Sequence, residues 1–529
     1  MKTNFIFLKK TVAALIILIA AIVGAQAQTP WSGTVNVTTD QTFSTNITLT
    51  GNTTLNITSG VTATVSGVIS GAYSITVTGG GKLVLTRANT YTGQTIVNDG
   101  MVQIGNGTSG SISNTSGVVL SSATSVLRFE PGADMDFSKV ISGAGSVQFK
   151  GTEGFILQKT LSLSANNTYT GTTTIEQGVF CIGDDSTTGA VAGNIILNDN
   201  AVLSFSRTDS YTYSGNISGT GIQVYVNSWF ILNMNINLYT SGTVILTGAN
   251  TYTAKTIVSN GVFQIGDGTS GSITSDISLP AGSVLCFNNS NDYTYPGVIS
   301  GLGNVKKQGT GVFSMNSVND LARGTFTQIE GTVKFSGKWA GNFIKNAAGT
   351  LEIVGNASVD STLTLGGGNL VMDLTQATPS KLVVGGAVSA LGTNTLAITA
   401  PDVAANYVLI QAASGITNTT PFALNLTGAK GTLAVNAPTQ LLLNTMPTGI
   451  NDVALPDVRI YPNPCTTTLF VENAGGADIN MMDMTGRLIW RQNNSSDLQK
   501  IPVGNLNPGI YMLQLTKDGL VKAVKVVKR

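Results

Sequence analysis

The sequence predicts an all-β fold: a right-handed parallel β-helix, or solenoid, followed by a small C-terminal Ig-like β-sandwich. Three observations predict it. Two short motifs recur and interleave between Val68 and Gly301. Brief runs of alternating apolar and polar residues, split by Gly, Asn or Ser-Gly, carry the period of two expected of half-buried strands. The composition is the third. Of 529 residues 62 are Gly, 10% are charged and none is His, against about 25% charged in an average domain. The deficit is filled by Thr, Ser, Asn and Gly; Thr suits strands, and Thr and Gly are poor helix residues.

The first element lies outside the fold. Lys2, Lys9 and Lys10 precede a nearly apolar 13-residue run, Thr11 to Val23, and the small-x-small string Ala25-Gln26-Ala27. This is the pattern of a secretory signal peptide over residues 1–27, cleaved between Ala27 and Gln28. The run is shorter than the roughly 20 residues a membrane span needs, so a retained anchor is the weaker reading. Removing the leader takes the net charge from +1 to −2. No later stretch is long and apolar enough to span a membrane as a helix.

Residues 28–380 carry the repeats. Asn89-Thr90-Tyr91-Thr92-Gly93 reaches Ile104-Gly105 fourteen residues after Tyr91. Asn167-Thr168-Tyr169-Thr170-Gly171 reaches Ile182-Gly183, and Asn250-Thr251-Tyr252-Thr253-Ala254 reaches Ile265-Gly266, at the same distance. Between them recur Val68-Ile69-Ser70-Gly71, Val140-Ile141-Ser142-Gly143, Asn216-Ile217-Ser218-Gly219 and Val298-Ile299-Ser300-Gly301. A degenerate further copy lies at Thr327–Val333. The large period is 78 residues, then 83. A series of sandwiches would have little reason to repeat one motif at variable spacing. A stack of coils absorbs such variation as loop insertions. Stacking also explains the composition. Equivalent positions in neighbouring coils lie about 4.8 Å apart, where like charges repel and Thr, Asn and Ser can hydrogen-bond. At about 20 to 25 residues per coil, residues 30–400 make on the order of 16 coils, about 75 Å in all.

The strings Ala88–Gly105, Asn166–Gly183 and Ala249–Gly266 resemble the autotransporter-associated β-strand repeat of bacterial surface passengers. The resemblance implies a surface-exposed solenoid rather than a reaction. An autotransporter ends in a membrane barrel with outward aromatic girdles. No such segment is present, so self-export is not expected.

Residues 381–447 read as the end of the solenoid and its cap, since an open last coil would expose a pairing edge. Residues 448–456 read as a linker. Beyond it the charge density more than doubles, from 36 charges in residues 28–448 to 16 in residues 449–529. Six strands are legible there, at 458–461, 468–471, 479–482, 488–490, 511–515 and 522–527, separated by turn residues. Ile460-Tyr461-Pro462-Asn463-Pro464, Asp483-Met484-Thr485-Gly486-Arg487 and Leu506-Asn507-Pro508-Gly509-Ile510-Tyr511 occur in order before a basic end. Residues 457–529 thus resemble the type A C-terminal sorting domain of the type IX (Por) secretion system of Bacteroidetes. The resemblance implies passage through the outer membrane by that translocon. It also implies removal of the domain by a sortase-like peptidase, and release or attachment to surface lipopolysaccharide.

Few residues are arranged for chemistry. Without His there is no Ser-His-Asp or Cys-His pair and no His-ligated zinc. Asp184 and Asp267, with Asn106 at the equivalent place, suggest Asx turns rather than calcium, which needs six to eight oxygens. Asp134, Asp136, Asp209, Asp276 and Asp292 are carboxylates of the type a glycosidase pairs, but they form no dense cluster. Tyr91, Tyr169 and Tyr252 could stack on sugars, yet repeated aromatics more often pack. Cys181 and Cys286 lie too many coils apart for a disulfide, and Cys465 fills a turn. Ser186 and Ser361 sit in Asp-Ser-Thr strings resembling a Bacteroidetes O-glycosylation tripeptide. Nothing marks a cofactor, a metal or nucleic acid. The sequence therefore points to a non-enzymatic, secreted or cell-surface solenoid, a stalk or adhesin-like surface for a glycan or host ligand. The alternatives are a β-helix polysaccharide lyase or glycoside hydrolase, and a structural surface-layer component.

Overall fold

The computed structural model describes residues 28–151, 158–226, 241–315, 318–319, 322–417, 422–436, 438–447, 458–493, 495–517 and 520–529. They fall into two compact units. The second comprises Thr399–Tyr407, Leu426–Leu433 and Leu443–Arg529, and the first the remainder.

The first unit is a parallel β-solenoid of about 16 turns. Most strands pair in parallel with the strands one turn before and one turn after them, and those that end a sheet pair on one side. One file of paired residues runs Ala63, Leu83, Val102, Leu127, Val147, Thr173, Ile195, Ile217. Every member is fully buried. The alternation produces this: in strand Ser125–Phe129, Ser125, Leu127 and Phe129 point inward while Val126 and Arg128 point out. Turn length varies from 17 residues (Phe326 to Phe343) to 33 (Ser210 to Thr243). The parallel ladder is kept across this variation, as expected of a stacked fold.

The solenoid runs on past the last readable repeat. Lys381–Val384 and Val388–Ala390 pair in parallel with Asn356–Val359 and Leu363–Leu365. Val388 and Ser389 then pair with Ile416 and Thr417. The charge argument is met in the ladder: Lys334 stands in register with Glu352, with its ammonium 3.4 Å from the carboxylate.

In the second unit, residues 459–528 form two antiparallel sheets. One holds Arg459–Tyr461, Thr468–Glu472 and Leu498–Pro502. The other holds Leu488–Gln492, Asp478–Asp483, Gly509–Lys517 and Leu520–Lys528. Leu469, Val471 and Ile501 from the first meet Ile479, Met481, Leu513, Leu515 and Val526 from the second in one core. Sequence reading missed Leu498–Pro502. That strand buries only Ile501, carries Lys500 and ends on Pro502.

Candidate functional site

The two interleaved motifs are stacking partners. Thr90 and Thr92 donate their N–H groups to Ile69 and Gly71 one turn below, at 2.8 and 2.9 Å. Thr168 and Thr170 do the same to Ile141 and Gly143, both at 2.9 Å, and Thr251 and Thr253 to Ile217 and Gly219, at 2.9 and 3.1 Å. The glycine at the end of each Ile-Ser-Gly string has a positive φ, between 102° and 113° in the four copies.

The Asn that opens each Asn-Thr-Tyr string joins three turns. Asn89 Oδ1 accepts from the Ile69 N–H (2.9 Å), and its Nδ2 donates to the Arg87 carbonyl (2.8 Å) and the Ser111 carbonyl one turn on (3.1 Å). Asn167 repeats the pattern with Ile141, Ala165 and Ala190, and Asn250 with Ile217, Gly248 and Ser272. All three are buried. This bridging role of the Asn residues is not evident from the motif alone. Their presence in all three copies was the available signal.

Tyr91, Tyr169 and Tyr252 are interior. Each is at most 1% exposed, and each hydroxyl meets the Thr four residues on (Thr95, Thr173, Thr256) at 2.6–2.9 Å. Burial pushes all three phenols well above their ordinary pKa. They cannot stack on an external sugar. Gly105, Gly183 and Gly266 have φ of +88°, +90° and +85°. A Cβ at any of them would overlap a carbonyl oxygen of the next turn, from Glu130, Ser206 and Asn288 respectively. The motif residues are thus spent on stacking.

The carboxylates are spent in the same way. Asp134 accepts from the Thr160 N–H (2.9 Å), Asp276 from Val298 (2.8 Å) and Asp292 from Val312 (3.1 Å), each one turn on. Asp136 accepts from the Ser164 hydroxyl (2.6 Å), and Asp209 pairs with Arg207 (2.8 Å), which holds its carboxyl below the usual range. Asn106 and Asp267 close Asx turns onto Thr108 and Ser109, and onto Thr269 and Ser270. Among the described residues no group of three or more Cys, Asp or Glu is placed to hold a metal ion.

Ser186 donates to Asp184 (2.7 Å) and accepts from the Thr188 N–H (3.2 Å), while Ser361 donates to Asn342 (2.7 Å). Both candidate glycosylation hydroxyls are half-buried and engaged. The three cysteines are free and buried. Cys181 stands in register with Ser162 and Ser204, and burial pushes its thiol up to about 12. Cys286 lies between Gln264 and Lys306. Cys465 is fully buried in the C-terminal core, beyond the turn-filling role expected of it.

Gln28 is exposed at the start of the described residues, and Ala27 and the linker 448–456 lie outside them. In the C-terminal unit the motif residues organise turns and edges. Tyr461 stacks on Phe470 with ring centroids 5.8 Å apart, and both X-Pro bonds, at Pro462 and Pro464, are cis. Asn463 grips the last strand from both sides, donating to the Lys525 carbonyl (2.7 Å) and accepting from the Val527 N–H (2.8 Å). Asp483 collects the Thr485 hydroxyl (2.6 Å), the Thr485 and Arg487 N–H groups and the Arg487 guanidinium, around Gly486 at φ +85°. These contacts, the Thr485 hydroxyl first, hold its carboxyl down at about 2. Leu506 packs on the core. After it, Tyr511 ties its hydroxyl to the Asn507 carbonyl (2.9 Å) across Pro508-Gly509.

Comparison with known proteins matches both parts. The Passenger-associated-transport-repeat family matches residues 75–104, 159–180 and 241–265. The Secretion system C-terminal sorting domain matches residues 459–529. The chain thus joins a β-solenoid bearing passenger-type repeats to a C-terminal segment that matches a sorting domain. It carries autotransporter-associated repeats and a Por secretion sorting domain, and that domain marks it for secretion to the outer surface. Neither is an enzyme family. The adhesin BmaC autotransporter of Brucella suis biovar 1 (strain 1330) is 32% identical over 165 residues, covering 27% of this chain. The chain spans only 4% of that relative's length. A solved structure of PorZ, a surface component of the type-IX secretion system of Porphyromonas gingivalis, aligns with 18% of this chain and 16% of that one. Its identity is 20% and its TM-score 0.14, too slight a likeness to bear on the fold.

Proposed function

We propose that the chain is a non-enzymatic, adhesin-like binding surface or stalk, sorted outward by residues 457–529. The observation that carries this reading is where the polar residues go. The repeat Asn and the carboxylates Asp134, Asp276 and Asp292 hold one turn on the next, while the repeat Tyr is buried against a Thr of its own turn. What the repeat makes is a wall, and a long repetitive wall suits weak multivalent contacts. The partial likeness to an adhesin agrees with this. In this reading residues 1–27 are a leader, 28–380 the repeat solenoid, 381–447 its end and cap, and 448–456 a linker. The partners are the type IX translocon and a sortase-like peptidase during export. Surface lipopolysaccharide is the anchor if the chain is retained, and a glycan or host-surface molecule is the ligand outside.

The test is a glycan and host-protein array probed with the chain lacking its leader, run beside an assay for new reducing ends and unsaturated sugars. Saturable binding without turnover is expected. Robust turnover would replace this reading with a polysaccharide-degrading one. Self-association with no ligand on the array would replace it with a surface-layer role.

A further inference from the structure

One recess in the outer wall crosses four successive turns. It has a volume of about 410 Å³ and is lined by Gly60, Val61 and Thr62, by Gly80, Gly81 and Lys82, by Gly100 and Met101, and by Thr124 and Val126. Its floor is one outward file in register: Thr62, Lys82, Met101, Val126. The lip consists of glycines at three of the four turns. A side chain at Gly60 would meet nothing within 4 Å, so the space above that lip is open. The volume lies within the range of small-ligand sites.

The lining selects a ligand. Lys82 is the only ionisable residue in it, on a segment (28–448) with a net charge of −4. Its ammonium forms no ion pair among the described residues, and it lies between the opposing fields of Arg128 and Glu130. Met101 and Val126 offer apolar contact. The Thr62 and Thr124 hydroxyls offer hydrogen bonds, although Thr124 already donates to Asp99 (2.7 Å). A peptide strand is disfavoured, because the floor strands already pair on both sides along the stack. Nucleic acid is disfavoured by the single cation and the absence of an aromatic platform. An open-ended recess with one cation, apolar C–H surface and hydroxyls fits a linear sugar chain bearing anionic groups.

We propose that this recess is the binding site for an acidic polysaccharide, laid across the turns with a carboxylate or sulfate on Lys82. The proposal rests on the binding-surface reading above. The test uses the chain without its leader and three probes: polygalacturonate, heparin and uncharged dextran. The variants are Lys82→Gln, which removes the charge, and Val126→Trp, which fills the recess from an outward position. Far-UV circular dichroism and thermal unfolding report whether each stays folded. Preference for polygalacturonate or heparin over dextran is expected, and which of the two binds identifies carboxylate or sulfate. Lys82→Gln should weaken binding about tenfold, the loss of one charge-assisted contact, and Val126→Trp should abolish it. If the unmodified chain binds an acidic glycan and both folded variants bind equally well, the site is elsewhere and the recess is refuted, while the binding-surface reading stands. Dextran binding lost in Val126→Trp but kept in Lys82→Gln would overturn the acidic class. Binding to no glycan here or on the array would remove the reading itself.

Discussion

Replacing Lys345 by Met should stabilise the solenoid at neutral pH and destabilise it in alkali. Lys345 is fully buried, in register between Gln328 and Leu365, and its ammonium donates to the Gly367 carbonyl. No carboxylate acts on it; burial alone lowers its pKa from 10.5 to about 8. The folded state therefore releases this proton more readily than the unfolded state. Between about pH 8 and 10.5 the unfolded chain binds more protons, so stability rises with pH across that window. Below it the cost of the buried charge is borne in full. A shift of this size corresponds to about 2–3 kcal/mol, after some discount for residual solvation. Methionine keeps most of the length and removes the charge, but leaves the Gly367 carbonyl without this donor, costing about 1 kcal/mol. The variant should gain about 1–2 kcal/mol at pH 7 and lose about 1 kcal/mol near pH 10.5. Urea denaturation followed by far-UV circular dichroism at the two pH values measures both. Equal destabilisation at both would refute the reasoning, because a solvated or paired ammonium has no burial cost to relieve.

Asn167→Ala removes an acceptor and two donors joining three turns. It should cost about 2–4 kcal/mol locally, read as faster amide exchange at Ile141 and Asn167, with turns far along the stack unchanged. Gly183→Ala must place a Cβ at φ +90° against the Ser206 carbonyl; a loss of at least about 1–2 kcal/mol is expected by denaturation, and a neutral result would contradict the turn geometry. Asp483 has its carboxyl held at about 2, so its stabilising effect on the C-terminal unit is complete above its unfolded value near about 4 and fades as pH falls toward 2. An NMR titration of that carboxyl with an ordinary midpoint would show that the turn is not formed.

How much of this was legible follows from what each residue's partners are. The inward alternation of strands such as Ser125–Phe129 is local, and it suffices for the solenoid. Tyr91 with Thr95 is local too, four residues apart. The Asn89 contacts are not, because they reach 20 residues back and 22 forward across turns of changing length. That variation, from 17 to 33 residues, hides register from the sequence. Residues 381–417 lost the motif but kept the ladder, since stacking needs inward apolar residues rather than Asn-Thr-Tyr. Lys345 broke the rule in the other direction. In Phe343-Ile344-Lys345 it takes an inward position that a period of two would assign to an apolar residue. In the C-terminal unit the turn motifs were readable because Asp483 with Thr485, and Asn507 with Tyr511, close over two to four residues. The recess was not, because its lining comes from four separate turns, three of them contributing glycines.

The division of labour between an outward-sorted solenoid and the domain that sorts it is tested most directly by stopping the chain at Gly449. The full chain and this truncation would be expressed in a host with the type IX machinery, and protease accessibility and antibody labelling would be measured on intact cells. The full chain should reach the surface and the truncation should remain, folded, in the periplasm. Equal surface display of the two would contradict the assignment of residues 459–529 as the export determinant.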